Sequence, residues 1–127
     1  MKILDPGHWY RLKHLDGSGT SDLTFVKRVN PPEKYPGNVG PPYEGTTIQE
    51  VLRALIDRGE YVNHQFQCEE TTQMIAHLEQ SLYLLEQRTR RERGQAPIQG
   101  IAPADMWRLP TCDICGHVQC LLHRGLP

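Results

Sequence analysis

Two stretches of helical periodicity, separated by a few polar residues, constrain this chain more than any other feature. Within residues 44–93, Ile48, Val51, Leu52, Leu55, Ile56 and Val62 recur at three- and four-residue intervals. Met74, Ile75, Leu78, Leu82 and Leu85 repeat the pattern further on. Such spacing lays one apolar stripe along each of two helices. Thr46 and Thr47 are each followed three residues later by Gln49 or Glu50, which is capping-box spacing. In that arrangement a hydroxyl accepts from an orphan helix N–H and the later side chain reaches back. Residues 63–67 are polar and short, so the two helices fold back as an antiparallel pair. The second helix is predicted from about Cys68 to Arg93, on the order of 35–40 Å long. Gly59, near the end of the first, costs roughly 1 kcal/mol relative to alanine. It marks either a close backbone approach or a fraying helix.

A hairpin alone buries little apolar surface. With 127 residues, 38% of them apolar and 21 of them proline or glycine, the chain is one domain with tails. A core this small is often completed by a partner chain or a metal. The net charge of −1 exerts no global attraction on nucleic acid or anionic membrane, so any anion site must be local. MKILDPGHWY carries too short an apolar run for a signal peptide, and no stretch reaches the length of a membrane span.

Before the hairpin, residues 9–15 and 23–29 are rich in aromatic and β-branched side chains. Asp16, Gly17, Ser18 and Gly19 between them are turn chemistry, so a β-hairpin is expected. Residues 30–42 contain repeated prolines and cannot continue a ladder. After the hairpin, Pro97, Pro103 and Pro110 break periodicity, and residues 95–110 read as a linker or extended arm. The fold class is therefore α+β. A small N-terminal antiparallel β-hairpin or sheet with a proline-rich loop (1–43) precedes a long antiparallel helical hairpin (44–94), and an irregular extended tail follows (95–127).

Two clusters carry chemistry. Arg88, Arg90, Arg91 and Arg93 form a positive site able to grip phosphate bidentately. The plainer reading is cations at a helix C-terminus, favoured by the macrodipole and paired with Glu86 and Glu92. Lys27 and Arg28 are a further basic pair, and Tyr35, Tyr43 and Tyr61 are available to stack on a base. In the tail, Cys112, Cys115, Cys120 and His123 supply four zinc-type ligands within twelve residues. His117 is an alternative fourth ligand, and a disordered tail with free thiols is the other reading. Cys68, at a helix start, is expected to pack. Gly-x-Ser-x-Gly, Walker and His-Glu-x-x-His patterns are all missing, which points away from an enzyme.

Three segments carry a family resemblance: PGHWYRLKHLDG with LTFVKR, then YPGNVGPPYEGTTIQEVLRALIDRGEYVNHQ, then CEETTQMIAHLEQSLYLLEQRTRRERG. Together, over about residues 6–94, they resemble the phage type 1 anti-Thoeris proteins, whose helical hairpin is shared with type 2 anti-CBASS proteins. The resemblance implies a non-catalytic sponge in the cytoplasm of an infected bacterial host. Its ligands would be cyclic ADP-ribose isomers, with cyclic di- or trinucleotides as further ones, and it would need no cofactor to bind them. It also implies dimers to hexamers holding ligand between subunits, with no nucleic-acid polymer or membrane as partner. By position it suggests Tyr61 for base stacking and Arg88 with Arg91 for phosphate. Thr71 stands where the family pattern has asparagine, and it reaches less far. The cysteine tail lies outside the resemblance. Two other readings stand beside the sponge: a zinc-stabilised protein-interaction module, and a phosphodiesterase-like enzyme that degrades the same signals.

Overall fold

Backbone pairing at the N-terminus starts earlier than apolar patterning suggests. In the computed structural model, which describes residues 1–27, 42–120 and 123, three strands form one antiparallel sheet in sequential order. They are β1 (Lys2–Asp5), β2 (Trp9–Lys13) and β3 (Thr20–Thr24). The expected hairpin is β2–β3, with Tyr10 opposite Leu23 and Leu12 opposite Ser21. Its turn carries Asp16 and Gly17 in the left-handed region, at φ 61° and 68°, a conformation short polar residues and glycine tolerate. Strand β3 begins at Thr20 rather than Leu23 because its polar half is held across the sheet. Asp22 accepts from Arg11 Nε at 2.9 Å and from Trp9 Nε1 at 3.0 Å. Strand β1 is an addition to the expected pair. His8 N–H donates to the Asp5 carbonyl at 2.9 Å and Gly7 has φ 81°, so the chain reverses there.

Beyond β3, Phe25 pairs with Thr46 and Lys27 with Tyr43. Gly45 lies so close to this extension that an added Cβ would sit 2.5 Å from the Phe25 carbonyl carbon. Only glycine fits there. The proline-rich loop and Arg28 lie outside the described residues.

This sheet belongs to a unit spanning Met1–Ile48, and a second unit spans Gln49–Pro127. The second is built on α1 (Ile48–Gln65) and α2 (Glu69–Glu92). Cys68 is the N-cap of α2 and Arg93 its C-cap, as the periodicity predicts. The helices meet closely at Gly59, which is buried; an added Cβ would stand 3.0 Å from Ile75 Cγ1. The glycine thus marks a close approach rather than a frayed end.

Two apolar clusters stabilise this unit. Ile56, Ile75 and Leu82 form the first, with Leu52, Leu78 and Trp107 packed against it. Ile98, Met106 and Val118 form the second, with Tyr83, Ile101 and Leu109 around it. Residues 95–110 are therefore not a free linker. A short helix, α3 (Pro103–Met106), starts with proline at its first position, where a missing N–H costs nothing. Its Met106 is fully buried. Only part of the expected stripe is covered: Leu55, Val62 and Met74 are 46%, 38% and 46% exposed. Among the described residues, no helix is long and apolar enough to cross a membrane.

Candidate metal centre and arginine cleft

The tail closes on itself before it offers any ligand. Cys112 N–H donates to the His117 carbonyl at 3.0 Å, and Gly116 N–H donates to the Cys112 carbonyl at 2.8 Å. Thr111 bridges Val118, and Gly116 and Gln119 take φ values of 73° and 48°. This tight loop turns the side chains of Cys112, Cys115, Cys120 and His123 inward, with all four donor atoms within 4.8 Å of one another. The separations are 3.6 Å from Cys115 Sγ to Cys120 Sγ, 3.3 Å from Cys112 Sγ to His123 Nδ1, and 3.4 Å from Cys120 Sγ to His123 Nδ1. Metal–ligand bonds of 2.0–2.3 Å give tetrahedral edges of roughly 3.5–3.8 Å. The four side chains can hold a metal ion. All four cysteines of the chain are free thiols, and burial pushes the Cys115 thiol up.

His117 is engaged elsewhere. Its Nδ1 lies 3.0 Å from Glu86 Oε2, and Gln49 Nε2 lies 3.2 Å from its Nε2. With both ring nitrogens occupied, this histidine has no lone pair to spare, which leaves His123 as the nitrogen ligand of the set. Glu86 is fully buried and also accepts from Arg53 Nη2 at 3.2 Å. Arg53 Nη1 donates to the Gly116 carbonyl at 3.1 Å, and Gln49 Nε2 to the Cys115 carbonyl at 3.1 Å. The buried carboxylate thus ties both helices to the cysteine loop. It does not serve the helix-end arginines, as its sequence position suggests.

Those arginines divide by face. Arg88 and Arg91, three positions apart, line a cleft of about 730 Å³ with Leu84, Gln87, Gly94, Gln95 and Pro97. Arg91 is exposed, and Arg88 Nε pairs with Glu92 at 3.1 Å. Arg90 and Arg93 turn toward the tail. Arg90 is 9% exposed and donates to the Ala96 carbonyl at 2.6 Å and the Gln119 carbonyl at 3.3 Å. Arg93 Nη1 lies 3.7 Å from Cys115 Sγ and 3.6 Å from Cys120 Sγ. Burial works against the charge on Arg93, but hydrogen bonding and attraction to the two sulfurs win and raise its pKa. Gln87 pins the cleft wall, donating to the Ile98 carbonyl and accepting its N–H.

Of the other residues expected to bind ligand, Tyr61 and Thr71 do not line this cleft. Tyr61 is 58% exposed near the hairpin tip, with the Arg58 guanidinium 5.9 Å from its ring centre. Thr71 is at the start of α2, its hydroxyl 3.0 Å from Cys68 Sγ. Seventeen helical residues, roughly 25 Å, separate Thr71 from Arg88. Lys27 belongs to the sheet unit, where it is buried. Its ammonium lies 2.8 Å from Asp5 Oδ2 and 5.5 Å from the Tyr43 ring centre. The Lys27 and Tyr43 partners hold the Asp5 carboxyl below its usual range, while burial and Asp5 push Tyr43 up to about 12.

Glu79 stands apart. It is 7% exposed. Burial, with Glu60 next, holds its proton above the usual carboxylate range. Periodicity carries the signal that this residue and Glu86 are special, since Ile75, Glu79, Leu82 and Glu86 fall on one buried face of α2.

No family model, curated protein or solved structure matches this chain.

Proposed function

We propose that this protein is a phage anti-defence sponge. It binds bacterial immune signalling nucleotides, cyclic ADP-ribose isomers foremost and cyclic di- or trinucleotides as a further class, and holds them uncleaved in the host cytoplasm. The observation that carries this reading is the cleft shared by Arg88 and Arg91, the two arginines matched to phosphate contacts by the resemblance to type 1 anti-Thoeris proteins. Two guanidinium groups beside a recess suit a small dianion, and the near-neutral chain offers no broad basic face for a polymer. Nothing in the reading needs catalysis, since sequestration takes affinity alone.

The sponge works as a homo-oligomer, from dimer to hexamer. One chain leaves Tyr61 and Thr71 far from Arg88 and Arg91, so a ligand touching both sets needs a second copy. The exposed Leu55, Val62 and Met74 supply apolar surface for that association. The Cys112, Cys115, Cys120 and His123 cluster is a structural zinc site in this reading, with no role in chemistry.

The test is to incubate the protein with a mixture of cyclic ADP-ribose isomers and cyclic oligonucleotides, then heat it and follow the ligands by mass spectrometry. Depletion from solution with intact recovery after heating is expected. Depletion without recovery means an enzyme, and no depletion overturns the reading. In the same assay Arg88→Ala weakens retention by about 1.5–3 kcal/mol, the range for a charge-assisted hydrogen bond.

A further inference from the structure

The cysteine cluster has a charge to settle. Three thiolates and a neutral imidazole around a divalent ion leave a net charge of −1, and all four side chains are half-buried. An uncompensated charge in such surroundings is costly. Arg93 Nη1 points at two of the sulfurs, at 3.7 and 3.6 Å, from the C-cap of α2. Its own N–H donates to the Thr89 carbonyl at 3.1 Å, so the helix end fixes where the side chain starts. Among the described residues, two other arginines reach toward the tail, and both donate to oxygens rather than to sulfur. Arg90 donates to the Ala96 and Gln119 carbonyls, and Arg53 to Glu86 and the Gly116 carbonyl.

We propose that Arg93 is the counter-charge of a closed Cys₃His metal site, donating to the Cys115 and Cys120 thiolates, and that His117 is a strut outside the ligand set. The inference rests on the zinc reading above and extends it to a residue that touches no metal. Donors to ligand atoms set metal affinity because they stabilise the charged form that binds. A guanidinium also neutralises the site as a whole, which a backbone N–H such as that of Ile114 on Cys112 Sγ, at 3.4 Å, does not. The helix-end arginines therefore serve two sites. Arg88 and Arg91 face the cleft, while Arg93 belongs to the metal loop.

The experiment is competition for zinc between the full chain and a chromophoric chelator, with cobalt(II) substitution as a second readout. Arg93→Gln is expected to bind zinc roughly 10–100-fold more weakly, and Arg93→Lys, which keeps a point charge, to lose less. Arg91→Gln, on the cleft face, should bind zinc like the unaltered chain. In the cobalt form of Arg93→Gln the sulfur-to-metal charge-transfer band should move to lower energy, because the thiolate lone pairs lose a stabilising donor. A merely structural role would not move that band. If Arg93→Gln does not fold, the ranking of Arg93→Lys against the unaltered chain and its cobalt band decide. Zinc affinity and band position unchanged in the Arg93 variants overturn the role of Arg93 while leaving the zinc site standing. An unaltered chain that takes up no stoichiometric zinc overturns both.

Discussion

The two apolar clusters of the helical unit look alike in size but are held by different physics. Ile56, Ile75 and Leu82 come from two long helices whose periodicity brings them together, and little beyond the hairpin turn is needed. Ile98, Met106 and Val118 come from a tail whose described residues hold one short helix, α3, in a stretch broken by prolines. What orders that tail is polar: the Gln87 pair to Ile98, the Arg90 bonds to Ala96 and Gln119, and the Glu86–His117 contact. A cluster built on regular helices stands by local pattern. The cluster built on a tail depends on the groups that anchor it, and the cysteine site is one of them.

The sharpest test of that contrast combines core truncation with metal removal. Leu82→Ala should lose about 3–5 kcal/mol of stability in chemical denaturation, with or without zinc. Met106→Ala should lose about 2–4 kcal/mol in the zinc-loaded protein and much less after chelation, because the tail is then already released. Equal costs for Met106→Ala in both states would erase the distinction between the clusters.

Glu86→Gln comes next, at about 3 kcal/mol, since it leaves the largely buried Arg53 guanidinium only its longer, 3.4 Å pair with the exposed Glu50. Thermal unfolding of this variant should also show a lower zinc affinity, because His117 loses its anchor. Removal of zinc should weaken nucleotide retention several-fold, as the Arg90 bridge from the cleft wall to Gln119 loses one end. Calorimetric titration of a cyclic ADP-ribose isomer into zinc-loaded and metal-free protein measures this, and identical affinities would uncouple cleft from tail.

The smallest effects come from two carboxyls with opposite shifts. Glu79 holds its proton more tightly folded than unfolded, so stability falls as pH rises through the carboxylate range. Glu79→Gln should flatten that fall, read as thermal midpoint against pH. Asp5 is shifted down by Lys27 and Tyr43, so its contribution is present above the ordinary aspartate range and lost as pH falls through its folded pKa. Asp5→Asn should remove that acid-side loss, read as midpoint against pH.

The sequence by itself determined what depends on near neighbours. Apolar spacing placed α2 within a residue of each end, because helix formation is settled by contacts three and four positions apart. The Cys-x-x-Cys-Gly turn and its two later ligands were legible for the same reason. Strand β1 was not legible, since its partners lie in β2 and only the pairing makes it a strand. Tertiary structure alone decided that Lys27 is buried against Asp5 and that His117 serves Glu86. It also divided four neighbouring arginines between a cleft and a cysteine loop. Periodicity can put a charged side chain on a buried face, as with Glu86, but does not name its partner. Where each one goes depends on which distant carboxylate, carbonyl or thiolate the folded chain brings within reach.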